Sequence, residues 1–390
     1  MTRAVPTLSL TAAVALVVFF GSLASAAPEP ATWSTDLHVR GVVDVAGPRS
    51  DGRLVVSGGD RLYLLDRGRN TLESFAGGPD GYPGGKGDEP YIALSSGDRV
   101  ASAACGFQPD DLYVIQQGPH DVLRIDKAGK VHPFAHVDGV ESLGGITFDT
   151  TGRFGHRLLV IGPNHGFTVV AAIDCRGKVE HLTDLAPPME GGVAVAPAGF
   201  GAFGGDLIAP DELGGVIRAV RPDGSTALVA QSGLPAGGDI GVEGVGFVPN
   251  GFAAGGRAFY ADRATPGNPH PGSDILLTSR AETLLSAGVR EGDLLAATEG
   301  GATAIAIRCT ASCETFRVAN GPAVAHGEGH LLVVADHPPP RSGSLAEARD
   351  LGAAAQRQAL ITRAALAALL AGGLLLVVLL AVLLRRRRRR

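Results

Sequence analysis

Between residues 31 and 337 the sequence has almost no helical periodicity. This excludes an α/β fold, which needs amphipathic helices between its strands. Positive charge is short as well. The net charge is −5, or −11 once the six arginines ending the chain are set aside, so the bulk of the protein is acidic. That argues against nucleic acid as a partner, because binding it needs a basic face; calcium and other cations stay compatible. The four cysteines come without a paired C-x-x-C or suitably spaced histidines, which counts against zinc. The glycine-rich stretch GGPDGYPGGKGDEP (77–90) lacks the G-K-[ST] ending of a phosphate loop and has no helix after it, so it reads as a long connecting loop. One tryptophan, five tyrosines and fourteen phenylalanines leave little for an apolar partner-binding face.

The two ends carry what the middle lacks, long apolar runs. MTRAVPTLSLTAAVALVVFFGSLASAAPEP opens with Arg3, stays apolar to about Phe20 and offers a small-x-small site at Ala24-Ser25-Ala26. This is the layout of a secretory signal peptide over 1–26, with an uncleaved anchor as the alternative. From Ala364 to Leu384 run twenty-one residues without a charge. As a helix they cover roughly 30 Å, the thickness of a bilayer's hydrocarbon. Arg385 to Arg390 follow and mark the cytoplasmic side. The expectation is a cell-membrane protein, single-pass, with its N-terminal domain extracellular and an arginine tail (385–390) inside. A sorting signal trimmed by a transpeptidase is the alternative. Residues 338–363, proline-broken and then rich in Ala, Leu, Glu, Arg and Gln, read as a stalk with a juxtamembrane helix running into the span at 364–384. In an exported chain, four cysteines favour disulfides: Cys309–Cys313 across a short turn, with Cys105–Cys175 the remaining pair.

Short apolar runs bounded by Gly, Pro and Asp fill residues 31–337, and they recur in fixed order. A glycine-led run (GGITFD, GGVAVAP, GVGFVP) precedes a run such as HRLLVIGPN or GDLIAPDE. A third run ends in a turn (TVVAAIDCRG, GVIRAVRPDG), and a short outer one follows, such as KVEHLTDL. Four strands per unit of about fifty residues is the pattern of a β-propeller blade. Glycines fit the innermost strands, where backbones crowd around the axis. The fold class is therefore all-β, a propeller of six blades of four antiparallel strands, with seven as the alternative count. In this reading GVGFVP and RAFYADR are the first two strands of one blade. HLLVVADH (330–337) is a second-position strand that closes the ring with N-terminal residues around LHVRGVV (37–43).

The stretch GGITFDTTGRFGHRLLVIGPN…VVAAIDCRGKVEHLTDL resembles the six-bladed propellers of the NHL and gluconolactonase-like superfamily, whose G-[IV]-x-[FV]-[DA], L-[LY]-[VI] and [IV]-D-x-x-G runs repeat over about 300 residues here. The resemblance implies a divalent metal near the channel mouth, held by a glutamate, asparagines and an aspartate. Glu190 in M-E-G-G is the position most similar to that glutamate, with Asn164 and Asp262 as further ligands. This sequence departs from the pattern: counted back from the glycine before the first apolar residue, Glu190 lies two positions away, Glu243 one and Glu141 four.

In such a blade the loop entering the inner strand and the loop leaving the second lie on one face. That gathers acids from both kinds of loop, Glu212 and Asp336 among them. Converging carboxylates repel unless a cation sits among them, which makes Ca2+ or another divalent cation the expected occupant. Expected metal ligands are Glu190, Asn164, Asp262 and Glu299; expected ligand-binding residues are Glu141, Glu243, His165 and Asp211. No catalytic residue is assigned. The functional expectation is an extracellular ligand- or protein-binding scaffold tethered to the membrane. A metal-dependent lactonase or esterase is the alternative, since a bound metal polarises a carbonyl or activates water.

Overall fold

A computed structural model describes residues 29–77, 82 and 89–337. The segments read as signal peptide, stalk, membrane span and arginine tail lie outside the described residues, as does most of 77–90. Among the described residues no helix is long and apolar enough to cross a membrane.

Six four-stranded antiparallel units surround one axis. Blade one is Asp44–Ala46, Leu54–Ser57, Arg61–Asp66 and Thr71–Gly77, from axis to rim. Blade two is Ile92–Leu94, Leu112–Gln116, Asp121–Ile125 and Val131–His136. Blade three is Gly145–Phe148, Leu158–Asn164, Phe167–Ile173 and Val179–Ala186. Blade four is Ala194–Val195, Leu207–Asp211, Val216–Val220 and Thr226–Gln231.

The last two blades exchange strands. Val242–Phe247, the inner strand of blade five, pairs not with the next strand in the chain but with Leu294–Thr298, followed outward by Ala304–Cys309 and Cys313–Asn320. Between them the chain crosses to blade six to lay down Gly256–Asp262 and Ile275–Arg280. It returns there at the end with the inner strand Gly327–Ala335. Two sequence expectations are corrected by this. RAFYADR belongs to blade six, not beside GVGFVP, and HLLVVADH is an innermost strand rather than a second one. The blade count of six stands, and the N-terminus does close the ring. Ser34–His38 is the outermost strand of blade six, and Ala31–Thr32 adds a parallel fifth strand to blade five. Beside it the buried Trp33 donates its indole N–H to Ala302 O at 3.0 Å.

The second strand of each blade is buried on both faces, which is why it reads as an unbroken apolar run instead of an alternating one, while the outermost strands are partly exposed. In Leu158–Asn164, Leu158 and Val160 pack toward blade two while Leu159 and Ile161 pack toward blade four. Buried apolar clusters of this kind fill all six blade interfaces. Between blades two and three Phe107, Tyr113, Phe134 and Phe148 meet edge to face, with centroids 4.8–5.5 Å apart for the closest pairs. The Cys105–Cys175 disulfide spans the same interface, and Cys309–Cys313 closes the turn between the last two strands of blade five.

At the axis the inner strands touch. A Cβ on Gly192 would lie 2.4 Å from Gly329 O and 2.5 Å from His330 Cα, backbone that cannot step aside. Gly329 itself has φ +68, and its Cβ would strike Asp44 Oδ1 at 2.6 Å. Around these glycines Asp44, wholly buried, accepts from the backbone N–H groups of Val45, Ile92 and His330. It also pairs with His330 Nδ1 at 2.8 Å. Blades one, two and six are thereby tied through one carboxylate.

Candidate functional site

Every inner strand begins, and every second strand ends, on the same face of the ring. That face carries the charge. Glu89 and Tyr91 enter blade two, Glu190 enters blade four, Glu243 lies at the head of blade five's inner strand, and Glu328 at the head of blade six's. Gln117, Glu212, Asp262, Arg263 and Glu299 follow the second strands of blades two, four, six and five. Among the described residues, six glutamates thus meet two bases, Arg263 and His326.

The groups are mutually bonded. The Tyr91 hydroxyl lies 2.9 Å from both Glu243 Oε1 and Glu328 Oε2, so it donates its one proton to one carboxyl and can accept from the other if that is protonated. Arg263 reaches Glu89 Oε1 at 2.8 Å and Glu328 Oε1 at 3.3 Å. Gln117 holds Glu89 from the other side, through a side-chain bond of 2.8 Å and the Glu89 backbone N–H at 2.9 Å. His326 Nε2 lies 2.9 Å from Glu299 Oε1 and 3.3 Å from Glu328 Oε1, and its backbone N–H donates to Asp262 Oδ1. Three polar atoms here have no hydrogen-bond partner among the described residues: His326 Nδ1, Glu212 Oε1 and Asp262 Oδ2.

Two bases cannot neutralise six acids, and four of the carboxyls are raised toward their protonated form. Burial, followed by the charges of Glu328, Glu190, Glu299 and Glu89, raises Glu243 well above the ordinary carboxyl range. Burial and then the neighbouring Glu299 push Glu212 up to about 9. Burial and the charge of Glu89 take Glu328 to about 7, against the pull of His326 and Arg263. Glu190 is open to water at the mouth yet enclosed on its other sides, and it is raised by that burial and by Glu328 and Glu299. His326 moves the other way. Burial opposes its charge, but the hydrogen bonds to Glu299 and Glu328 outweigh that and raise it to about 10. Glu299 is lowered: burial works against its charge, and bonds to His326 and Glu212 prevail.

Of the residues singled out from the sequence, Glu190, Glu243, Glu299 and Asp262 stand in or against this cluster. Glu141 and His165 form an exposed pair on the rim of blade three, Nδ1 to Oε1 3.2 Å, with Asn164 beside them at the end of its strand. Asp211 is buried and engaged with Arg218 at 2.6 Å and the Gly214 N–H at 2.7 Å. Asp336 lies at the opposite end of the ring, where its N–H bonds Gly255 O, because its strand is an inner one and runs away from the mouth. Glu89, Tyr91, Arg263, His326 and Glu328 escaped the sequence reading. The signal for Glu328 was present: H-G-E-G-H places an acid between glycines just ahead of an apolar strand, as M-E-G-G does.

Similar solved structures include a streptogramin B lyase (10% identity, 75% of each chain covered, TM-score 0.43). Another is the virginiamycin B lyase of Staphylococcus aureus (10% identity, 73% of this chain and 89% of that one, TM-score 0.41). The nidogen/laminin complex also matches (15% identity, 71% and 96%, TM-score 0.38). No activity carries over from likenesses this distant. No family model and no curated protein matches the sequence.

Proposed function

We propose that the protein is an exported, membrane-tethered propeller that binds a divalent cation, and through it an extracellular ligand, at the carboxylate-lined mouth. The observation carrying this reading is the convergence of Glu299, His326 and Glu328, whose donor atoms all lie within 4.8 Å of one another. The 2.9 and 3.3 Å separations from His326 Nε2 are those of neighbouring ligands each about 2.0–2.2 Å from a shared ion. An imidazole with two carboxylates suits a zinc- or manganese-type ion better than calcium, whose ligands are oxygens. Such an ion would take the place of the His326 proton, so its affinity falls as pH falls. Export and tethering are supported by the signal-like segment 1–26, the apolar run Ala364–Leu384 with its arginine flank, and the two disulfides.

A second reading, a metal-dependent hydrolase of lactones or esters, draws support from Glu212. Its Oε1 is buried without a hydrogen-bond partner among the described residues, which leaves the carboxyl free to act as an acid or base toward a substrate at the mouth.

Elemental mass spectrometry of the purified full chain tests the first reading. About one equivalent of a divalent ion is expected, lost in His326→Gln. No ion in the wild type, together with an unfolding midpoint unmoved by zinc, manganese or calcium, overturns it. Turnover of a lactone or ester by wild type, abolished in Glu212→Gln, would establish the hydrolase instead. The address is checked by the intact mass of the membrane-extracted chain: a mature start at Ala27 is expected, and retention of Met1 refutes cleavage.

A further inference from the structure

At the end of the ring opposite the acidic mouth, where blade six meets blade one, lies a cavity of about 410 Å³. Its lining holds four arginines, Arg67, Arg69, Arg257 and Arg280, together with Asn70 and Thr278. In a protein with 34 basic and 39 acidic residues, such a concentration needs a cause.

The arginines are poorly neutralised where they stand. Arg257 and Arg280 sit directly opposite each other on paired strands, so both side chains project from the same face of blade six. Like charges in that position destabilise a sheet. Arg67 has Asp336 at 3.2 Å, Arg69 has Asp66 at 3.2 Å and Arg280 has Glu282 at 3.8 Å, but Asp336 and Glu282 are themselves 49% and 78% exposed. Among the described residues Arg257 has no carboxylate within 4.0 Å, and its one bond is a long 3.4 Å contact to Arg67 O. Arg67 Nε is buried without a partner. A guanidinium cannot relieve such repulsion by losing its proton, as a lysine or histidine would. Water screens Arg69 and Arg280, whose side chains are 82% and 70% exposed, but Arg67, at 16%, is largely shut off from it, and there an anion would relieve the repulsion.

We propose that this cavity is a binding site for a phosphate group. The forked donors of four guanidiniums, with the Thr278 hydroxyl and the Asn70 amide, exceed what the two oxygens of a carboxylate accept. They match the larger set of lone pairs on a tetrahedral phosphate. The phosphate has two sources of the same chemistry, a soluble phosphate dianion or the phosphodiester of a lipid headgroup.

The test is calorimetric titration of the full chain with two probes, inorganic phosphate and the soluble headgroup diester glycerophosphoglycerol. At least one is expected to bind, and Arg257→Gln is expected to weaken it about tenfold or more, on the scale of a lost bidentate charged pair. Tighter phosphate binding assigns a soluble ligand, and tighter diester binding assigns a headgroup. A second readout separates binding from architecture. Without probe, Arg257→Gln leaves the unfolding midpoint unchanged or higher, because a like-charge pair is removed; the rise that the probe causes in the wild type disappears. Should that variant fail to fold, Arg280→Gln carries the same test. No binding of either probe to wild type, or equal binding by wild type and variant, overturns the assignment.

Discussion

Replacing Asp44 by Asn should destabilise the whole ring out of proportion to the one charge removed. Asp44 Oδ1 takes the N–H groups of Val45 and His330, and Oδ2 takes the Ile92 N–H at 2.8 Å and His330 Nδ1 at 2.8 Å. An asparagine oxygen in the Oδ1 position keeps the first two. Its NH2 then points at the Ile92 N–H, leaving a buried donor unpaired, and His330 loses its counter-charge. One unsatisfied buried donor costs about 1–3 kcal/mol, and breaking a buried ion pair about 3–5 kcal/mol. Since the two overlap, a total loss of about 3–5 kcal/mol is expected. Urea unfolding followed by the fluorescence of Trp33, the single tryptophan, buried between blades five and six, reads it out. The pH dependence has a defined sign. Burial alone would depress His330, but the charge and hydrogen bond of Asp44 prevail, and its folded value lies above the ordinary 6.5. The stabilisation is thus complete below 6.5 and is lost as pH rises through the folded value. The gap between wild type and Asp44→Asn should be widest on the acid side and narrow toward alkali. A loss under about 1 kcal/mol, or a gap that widens with rising pH, refutes the account.

Three more outcomes follow from the same geometry. Glu243 is a buried carboxyl raised well above 4.5 that works as a neutral group, so its stabilisation fades as pH rises above 4.5. Glu243→Gln should cost less than about 1 kcal/mol at neutral pH and flatten that decline in urea unfolding; a cost above about 3 kcal/mol would mean the carboxylate is ionised and paired. Gly192→Ala forces a Cβ to 2.4 Å from Gly329 O and should lose about 3 kcal/mol or more, read as a fall in thermal midpoint; an unchanged midpoint would mean the axis can open. Replacing Cys105 and Cys175 by Ala frees a loop of separation 70, against 4 for Cys309 and Cys313. In the chain-entropy picture the losses are about 4 and about 2 kcal/mol, and equal losses in denaturation would show that local strain dominates.

Much of the architecture was written in local pattern. The recurring order of a glycine-led run, an apolar run and a turn-ended run follows from strands buried on two faces, and it defined the blade and the count of six. The acid ahead of GGVAVAP was legible as a mouth residue because strand direction alone decides which loops share a face. The Cys309–Cys313 disulfide was legible from its spacing across a turn, and Cys105–Cys175 only as the pair that remained. None of this depended on which strand pairs with which. That choice belongs to the tertiary structure, because GVGFVP presents the same apolar edge to RAFYADR and to GDLLAATE, and only ring closure selects between them. The crossing between blades five and six turned HLLVVADH into an inner strand. It thereby carried Glu328 into the mouth and Asp336 to the opposite end. Charge state was decided there too. In the sequence Glu212, Glu299 and Glu328 are three equivalent carboxyls. Folding raises one to about 9 and another to about 7 and lowers the third, because burial and a histidine reach each of them differently.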